Sequence, residues 1–369
     1  MLSVVPSRDR IPRLLAAVLI VVSFDAASAD EIPGWRMAPQ TDPLELGSLR
    51  LETAFGLQLA EGEWAQALSI MQFNSWDVSW HTNAIHRDLG ELRQRRQRVV
   101  SDELRRIETA FPEDNVWHID VEGWRVDFVV SRGIRGGTLS LHVPWIEIGS
   151  PHWDKFGEGF HEALGINTLK RENFPRNQTL IYLKDRGNRH VVEAREELNR
   201  SGFGDATLAF GIPLETRWTK SQQIVASVQA PTGRSGTLHG SGGWDLGLSW
   251  FGLWQPDVTT YKIAAGYTWL DPSGSFLGFR RSHLGHLLLE IDRPLFGGFD
   301  GSVMVRIDSS PLLDVIDAYP GHPATFYRLS IMRRIGSAWT SFTVGNELLP
   351  QTGDEADWAF ALTLGLLRR

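Results

Sequence analysis

The sequence predicts an all-β protein, a transmembrane antiparallel β-barrel of about twelve strands with helical segments in long external loops, and three observations predict it. The chain opens like an export leader. From Phe203 onward it breaks into segments of about ten residues in which apolar and polar side chains alternate. Aromatic residues gather near the ends of those segments, where an interfacial girdle would lie.

The first element is the leader, residues 1–29. Arg8, Arg10 and Arg13 precede an apolar run from Leu14 to Phe24, and Ala27-Ser28-Ala29 offers a small-residue cleavage site after Ala29. The run is shorter than the roughly 20 residues a membrane helix needs. Later apolar stretches, such as Ile224 to Val228, are shorter still. If the exported chain enters a membrane, it enters as strands.

Composition narrows the class further. There is no cysteine, so neither a disulfide framework nor a thiolate metal site is available. Fifteen Trp and 36 Gly stand against five Met, a balance suited to membrane interfaces and to the turns and crowded wall of a barrel. A formal net charge of −7 argues against a nucleic-acid partner.

Residues 30–63 form an N-terminal segment with weak periodicity. They are expected to plug the barrel or to add a strand at Leu49 to Ala60. The barrel is expected over residues 64–369. Its first strands fall at Trp64 to Phe73, Val116 to Ser131, Thr138 to Ile148 and Phe203 to Leu214. The clearest alternation follows. Trp244, Leu246, Leu248, Trp250 and Trp254 oppose Asp245, Gly247 and Ser249, and Tyr261, Ile263, Ala265, Tyr267 and Trp269 oppose Thr260, Lys262, Ala264, Gly266 and Thr268. Segments around Ile224 to Val228, Leu287 to Asp292 and Ser302 to Asp308 keep the same phase. Thr325 to Ile335, Ala338 to Leu348 and a terminal strand at Trp358 to Leu366 complete a count of twelve, with fourteen as the alternative. The final strand suits closure against the first, although the chain ends in Arg368-Arg369 rather than in an aromatic residue.

Even strand number places both termini on the periplasmic side. Short connections such as Trp254 to Val258 then face the periplasm. Long ones, including residues 74–115 and 149–202, face outward. The first contains a basic amphipathic pattern, with Leu89, Leu92, Val100, Leu104, Ile107 and Phe111 on one stripe and Arg93, Arg95, Arg96, Arg98, Arg105 and Arg106 around it. It reads as a helix on the barrel rim, or as a contact for lipopolysaccharide phosphates. The second holds Trp153, Asp154, Phe156, Phe160 and His161, where Phe156, Phe160 and Leu164 lie four apart. That spacing suits a helix that lids the mouth. His161-Glu162 begins like a zinc-protease motif, but no second His follows at the required position, so no metal is expected.

Several blocks occur in a fixed order: Val121-Glu122-Gly123-Trp124-Arg125, Gly136 to Trp145, Trp153 to Gly165, Pro175-Arg176-Asn177, Ser201-Gly202-Phe203-Gly204-Asp205, Ala230-Pro231-Thr232-Gly233 and Gly240 to Asp245. Together they resemble an uncharacterised family of proteobacterial outer-membrane barrels known as a domain of unknown function. The Gly-x-Gly-Asp and Pro-Thr-Gly blocks are also similar to barrels encoded beside aromatic-degradation pathways. The resemblance covers most of the chain from Trp117 onward, and implies fold and location in a Gram-negative outer membrane. It brings no activity, no cofactor and no catalytic residue. Physically, the Gly-rich blocks read as turns flanking one loop; Ser241 is not in a nucleophile elbow, and no phosphate-binding loop is present.

The strand phases send Arg125, Asp127, Asp205, Asp245, Lys262, His286, Glu290, Arg306, Asp308 and Arg328 into the lumen. Both signs are present, so this is no simple ring of one charge. It suits a passive channel or transporter for small molecules, hydrophobic or aromatic ones included, and equally a salt-bridged network filling a structural envelope protein. A lipid-modifying enzyme is the other alternative, yet no Ser/His/acid constellation supports it, so the expectation is a non-enzyme without cofactor. The expected partners are outer-membrane lipids, lipopolysaccharide included, and a small solute. Nothing in the sequence fixes an oligomeric state.

Overall fold

The structure is a computed structural model that describes residues 49, 53–79, 99–149, 155, 159, 174–176, 178–188, 191–215, 219–271, 282–309, 324–347 and 358–368. In chain order the strands are β1 (Trp64–Val78), β2 (Val116–Ile134), β3 (Gly137–Ile148), β4 (Leu180–Lys184), β5 (Val191–Ala194), β6 (Ser201–Phe203), β7 (Ala206–Leu214), β8 (Ser221–Ala230), β9 (Asp245–Trp254) and β10 (Thr260–Trp269). They continue with β11 (His283–Pro294), β12 (Phe299–Asp308), β13 (Ala324–Ile335), β14 (Ala338–Glu347) and β15 (Trp358–Arg368). Among the described residues between β1 and β2 lies the helix α1 (Ser101–Ala110).

Twelve of these strands close a ring. All neighbours are antiparallel, β3 pairs with β7 after a long connection, and β15 returns to β1 with Trp64 opposite Arg368 and Asn74 opposite Trp358. Closure leaves the ring without an unpaired edge, which a lipid-embedded sheet requires. Outward positions are apolar and exposed, among them Leu139, Leu208, Leu248, Ile263, Leu289, Val303, Leu329, Phe342 and Leu362. Inward neighbours are polar, small or buried, as Ser69, Thr207, Ser330, Ser341 and Thr363 illustrate. A soluble barrel would reverse that pattern. This one is a membrane-spanning β-barrel, because an apolar outside with a polar inside is stable only where hydrocarbon replaces water. Among the described residues no helix is long and apolar enough to cross a membrane.

The two ends differ. At one end the connections are brief, residues 135–136, 215–220, 255–259, 295–298 and 336–337, and both β1 and β15 have their outer chain ends there. The tightest turns use left-handed glycines, Gly136 at φ 86° and Gly336 at φ 60°, which a side chain would strain. At the other end every connection is longer.

Four features depart from the sequence reading. The expected strand over Phe203 to Leu214 is broken at Gly204-Asp205, because the Gly204 N–H donates to Pro144 O at 2.8 Å while the Asp205 carboxylate turns to a neighbouring loop. Within residues 149–202, expected simply as a loop, β4 and β5 extend the sheet from β2. Strand β1 continues five residues beyond Phe73, so residues 74–78 are sheet rather than loop. No strand forms over Thr53–Gly56, which is a short 3-10 turn.

The extensions of β1 and β2 join β4 and β5 in a small sheet above the ring. Helix α1 covers its outer face, placing Leu104 and Ile107 in a core with Trp76, Val78, Val116, Phe174, Leu180 and Tyr182. Asp102 and Glu103 occupy the first helical turn, where negative charge suits the helix dipole. Ser101 Oγ donates to Glu193 at 2.8 Å and Arg195 donates to Val99 O at 2.8 Å, tying the helix start to β5. Of the basic pattern expected to be helical, residues 80–98 lie outside the described residues.

The barrel lumen as candidate functional site

The candidate site is the inner face of the ring. Charged side chains there meet on neighbouring strands because antiparallel partners share a face. On β10 to β13, Lys262 Nζ lies 2.6 Å from Asp292 and 3.6 Å from Glu290, while Glu290 also takes Arg328 at 2.8 Å and the Ser302 hydroxyl at 3.0 Å. Beside this cluster, the Asp308 carboxylate accepts from His286 Nδ1 at 2.9 Å and pairs with Arg306 Nε at 2.7 Å. Arg306 rests on the Phe326 ring, and Thr268 meets the other nitrogen of His286 at 3.2 Å.

The same three residue types recur across the ring. Asp127 on β2 takes Arg125 Nε at 2.8 Å and His142 Nε2, from β3, at 2.7 Å. The pair β2–β3 and the pair β11–β12 stand six strands apart in a ring of twelve, on opposite walls. All these side chains are buried apart from the partly accessible Lys262 and Asp292. Burying a charge is costly unless its partner and hydrogen bonds are in place, and Asp127, Glu290 and Asp308 each have at least two.

Asp205 and Asp245 stand apart from these clusters. Asp205, at the start of β7, accepts from the backbone N–H groups of Gly233 and Ser241 at 2.7 and 2.6 Å. Thr232 donates to Gly204 O and accepts from Ala206 N–H, each at 2.9 Å. The Gly-x-Gly-Asp and Pro-Thr-Gly blocks therefore form one knot, and a Cβ at Gly240 would strike the Asp205 carboxylate at 2.5 Å. His239 joins the knot through Ile146 O at 3.1 Å; burial holds its imidazole below the ordinary histidine range. Asp245 accepts from Asp271 N–H at 3.1 Å and from Leu49 N–H at 3.4 Å.

That last contact belongs to a segment that follows the inner wall. Phe55 packs with Ala209 and Val225 and meets His142 edge-on at 6.4 Å. Leu57 packs with Ala65, Ala67, Val129, Met332, Trp339 and Leu367, so residues 55–57 touch β7 and β8 as well as β1, β2 and β13 to β15. Wall side chains also hold its backbone: Gln223 donates to Phe55 O at 2.8 Å, and Leu59 N–H donates to Thr138 Oγ1 at 3.0 Å. At Gly133 a Cβ would lie 1.8 Å from Ala60 O, so glycine makes the approach possible.

Sequence reasoning missed His142, Gln223 and Thr138 as inner-wall partners. His142 and Thr138 were legible in principle, since both share the phase of Ser140 on β3. Phe55 and Leu57 gave no periodic signal. The lid candidates Trp153, Asp154, Phe156, Phe160 and His161 lie outside the described residues; nearby Lys155 and Gly159 are helical. Among the described residues no group of three His, Asp or Glu side chains is placed to hold a metal ion.

Residues 110–273 match the family model described as "Protein of unknown function (DUF3187)". No curated protein matches the chain. Among solved structures, the chain is similar to the COG4313 outer membrane channel from Pseudomonas putida F1, with 10% identity, 85% of this chain and 98% of that one covered, and a TM-score of 0.45. It is also similar to the translocator domain of the autotransporter NalP from Neisseria meningitidis, at 9% identity, 84% and 88% coverage and a TM-score of 0.38. A Pseudomonas aeruginosa FadL homologue gives 8% identity, 90% and 99% coverage and a TM-score of 0.34.

Proposed function

We propose that the barrel is a passive channel of the Gram-negative outer membrane for small molecules, and that Leu49 and residues 53–60 belong to its plug. The short-turn end faces the periplasm, and the long-loop end faces the lipopolysaccharide leaflet. The observation that carries this reading is the segment inside the wall. Small residues face it, Ala65, Ala67 and Ala209 among them, so the space is filled by a separable piece of chain rather than by the wall itself. A barrel of purely structural use would fill that space with its own side chains, as narrow barrels do.

The character of the wall supports solutes with an apolar part. Phe251, Ala264, Leu288 and Met304 make an inner patch across β9 to β12, bordered by the charged clusters of Glu290 and Asp308. An aromatic or aliphatic body with one polar group suits such a surface.

Conductance in planar bilayers tests the reading. The mature chain is expected to conduct little, and a chain beginning at Glu61 to conduct steadily. Because the sequence has no cysteine, a Gly56→Cys/Phe251→Cys pair makes a clean lock. A Cβ at Gly56 would lie 2.9 Å from the Phe251 ring, so the two positions face each other across the lumen wall. The oxidised pair should stay closed and open on reduction. A truncated barrel that never conducts would instead identify a structural protein with a filled lumen.

A further inference from the structure

Charge on the outer surface of the ring is distributed very unevenly. Among the described wall residues that point outward, those with charged side chains are Arg132, Glu147, Arg293, Arg333 and Arg368. The four arginines all stand at the short-turn end; Glu147 stands at the other. Arg132 and Arg368 flank Trp64 in register on three adjacent strands, and the Arg132 guanidinium lies 4.8 Å over that indole. Arg333 lies 5.3 Å over Phe299, its partner on β12. Arg293 projects two positions beyond the outward Ile291. None of the four forms an ion pair with a carboxylate among the described residues.

Guanidinium planes stacked on interfacial aromatics keep their N–H edges free, and those edges match phosphate oxygens. Arginines pointing away from the wall, at the depth of Trp64 and Phe299, meet lipid headgroups rather than water alone. We propose that Arg132, Arg293, Arg333 and Arg368 form a belt that binds the phosphates of anionic phospholipids in the leaflet at the short-turn end. The belt fixes the depth of the barrel and gathers an anionic lipid annulus around that end. It rests on the fold and does not depend on whether the lumen conducts.

The full-length mature barrel, folded in vesicles of phosphatidylcholine mixed with phosphatidylglycerol, provides the test. After gentle detergent extraction, mass spectrometry quantifies the retained lipids. The unaltered barrel should retain phosphatidylglycerol above its bulk ratio. Each Arg→Gln replacement should weaken phosphatidylglycerol binding at its own site about fivefold, so the enrichment should fall stepwise and reach the bulk ratio in the fourfold variant. Arg→Lys replacements should keep only part of it, because an ammonium lacks the stacked, two-pronged edge, and Glu147→Gln should leave it unchanged. Added inorganic phosphate should not displace the lipid. Retention at the bulk ratio, enrichment that survives in the fourfold Arg→Gln variant, or displacement by free phosphate would each overturn the belt. Heat-dependent gel mobility reports whether each variant folds, and the Arg132→Gln/Arg368→Gln pair serves if the fourfold variant does not.

Discussion

Strands β1 and β2 each live in two environments, and their two halves obey different rules. Along the wall, residues 64–71 of β1 and 124–134 of β2 alternate between buried and accessible positions. From the last pairs of the ring upward, residues 72–78 and 116–123 are buried at every position, as is the whole of β4. The wall has protein on one side and lipid on the other, so only one face packs. The rim sheet has protein on both. Trp76, Val78 and Tyr182 meet helix α1 on one face, while Trp117, Ile119, Ile181 and Leu183 pack with Leu198, Leu238 and Ala361 on the other. The loss of alternation along a single strand therefore marks where the hydrocarbon ends.

The strongest way to break this comparison is to empty the rim core. Trp76 is 2% exposed and meets His118 and Phe174 edge-on at 5.1 and 4.8 Å. Trp76→Ala should cost the rim about 3–5 kcal/mol, the usual range for a buried aromatic. Limited proteolysis should then cut residues 79–115 quickly, while the ring keeps its heat-dependent gel mobility. Loss of both together would show that rim and ring are one cooperative unit.

The wall should respond to charge where the rim responds to cavities. Phe128 points outward midway along the wall part of β2 and is 42% exposed. Phe128→Arg should destabilise the folded state in vesicles by about 2–4 kcal/mol, the cost of an arginine at mid-depth, whereas Phe128→Leu should be close to neutral. Equilibrium urea titrations in lipid vesicles would measure both.

The smallest expected effect is a pH dependence of the knot that roofs the inner face. His239 is buried, and burial lowers its pKa in the folded chain. The unfolded chain, with an ordinary histidine pKa near 6.5, then binds protons more readily, so acid favours unfolding. The knot should lose stability as pH falls below about 6.5, with the loss levelling off once pH passes the lowered folded value. Hydrogen exchange of the Gly233 and Ser241 amides should report it, and His239→Gln should flatten the dependence. An unchanged slope in that variant would assign the effect to another group.

The ring was legible because its two faces differ. Tyr261, Ile263, Ala265, Tyr267 and Trp269 could be read as one lipid-facing row without any tertiary information. The inward phase of Lys262, Glu290, Arg306 and Arg328 followed from the same alternation. Which of these would pair did not follow, since partners depend on register, and register is set by closure around all twelve strands. His142 illustrates the point: alone on β3 it resembles any inward polar residue, and only the register opposite β2 brings it to Asp127.

The sequence by itself determined that this chain forms a lipid-facing ring of about twelve strands with short turns at one end, because lipid imposes a period-two pattern on every wall strand. Tertiary structure alone decided the rest. A four-residue apolar run such as Leu180 to Leu183 carries no period when both of its faces are covered, so β4 reads as loop. Leu49 and residues 53–60 have no regular pattern because they dock on an inner wall built from many distant strands, each supplying one contact.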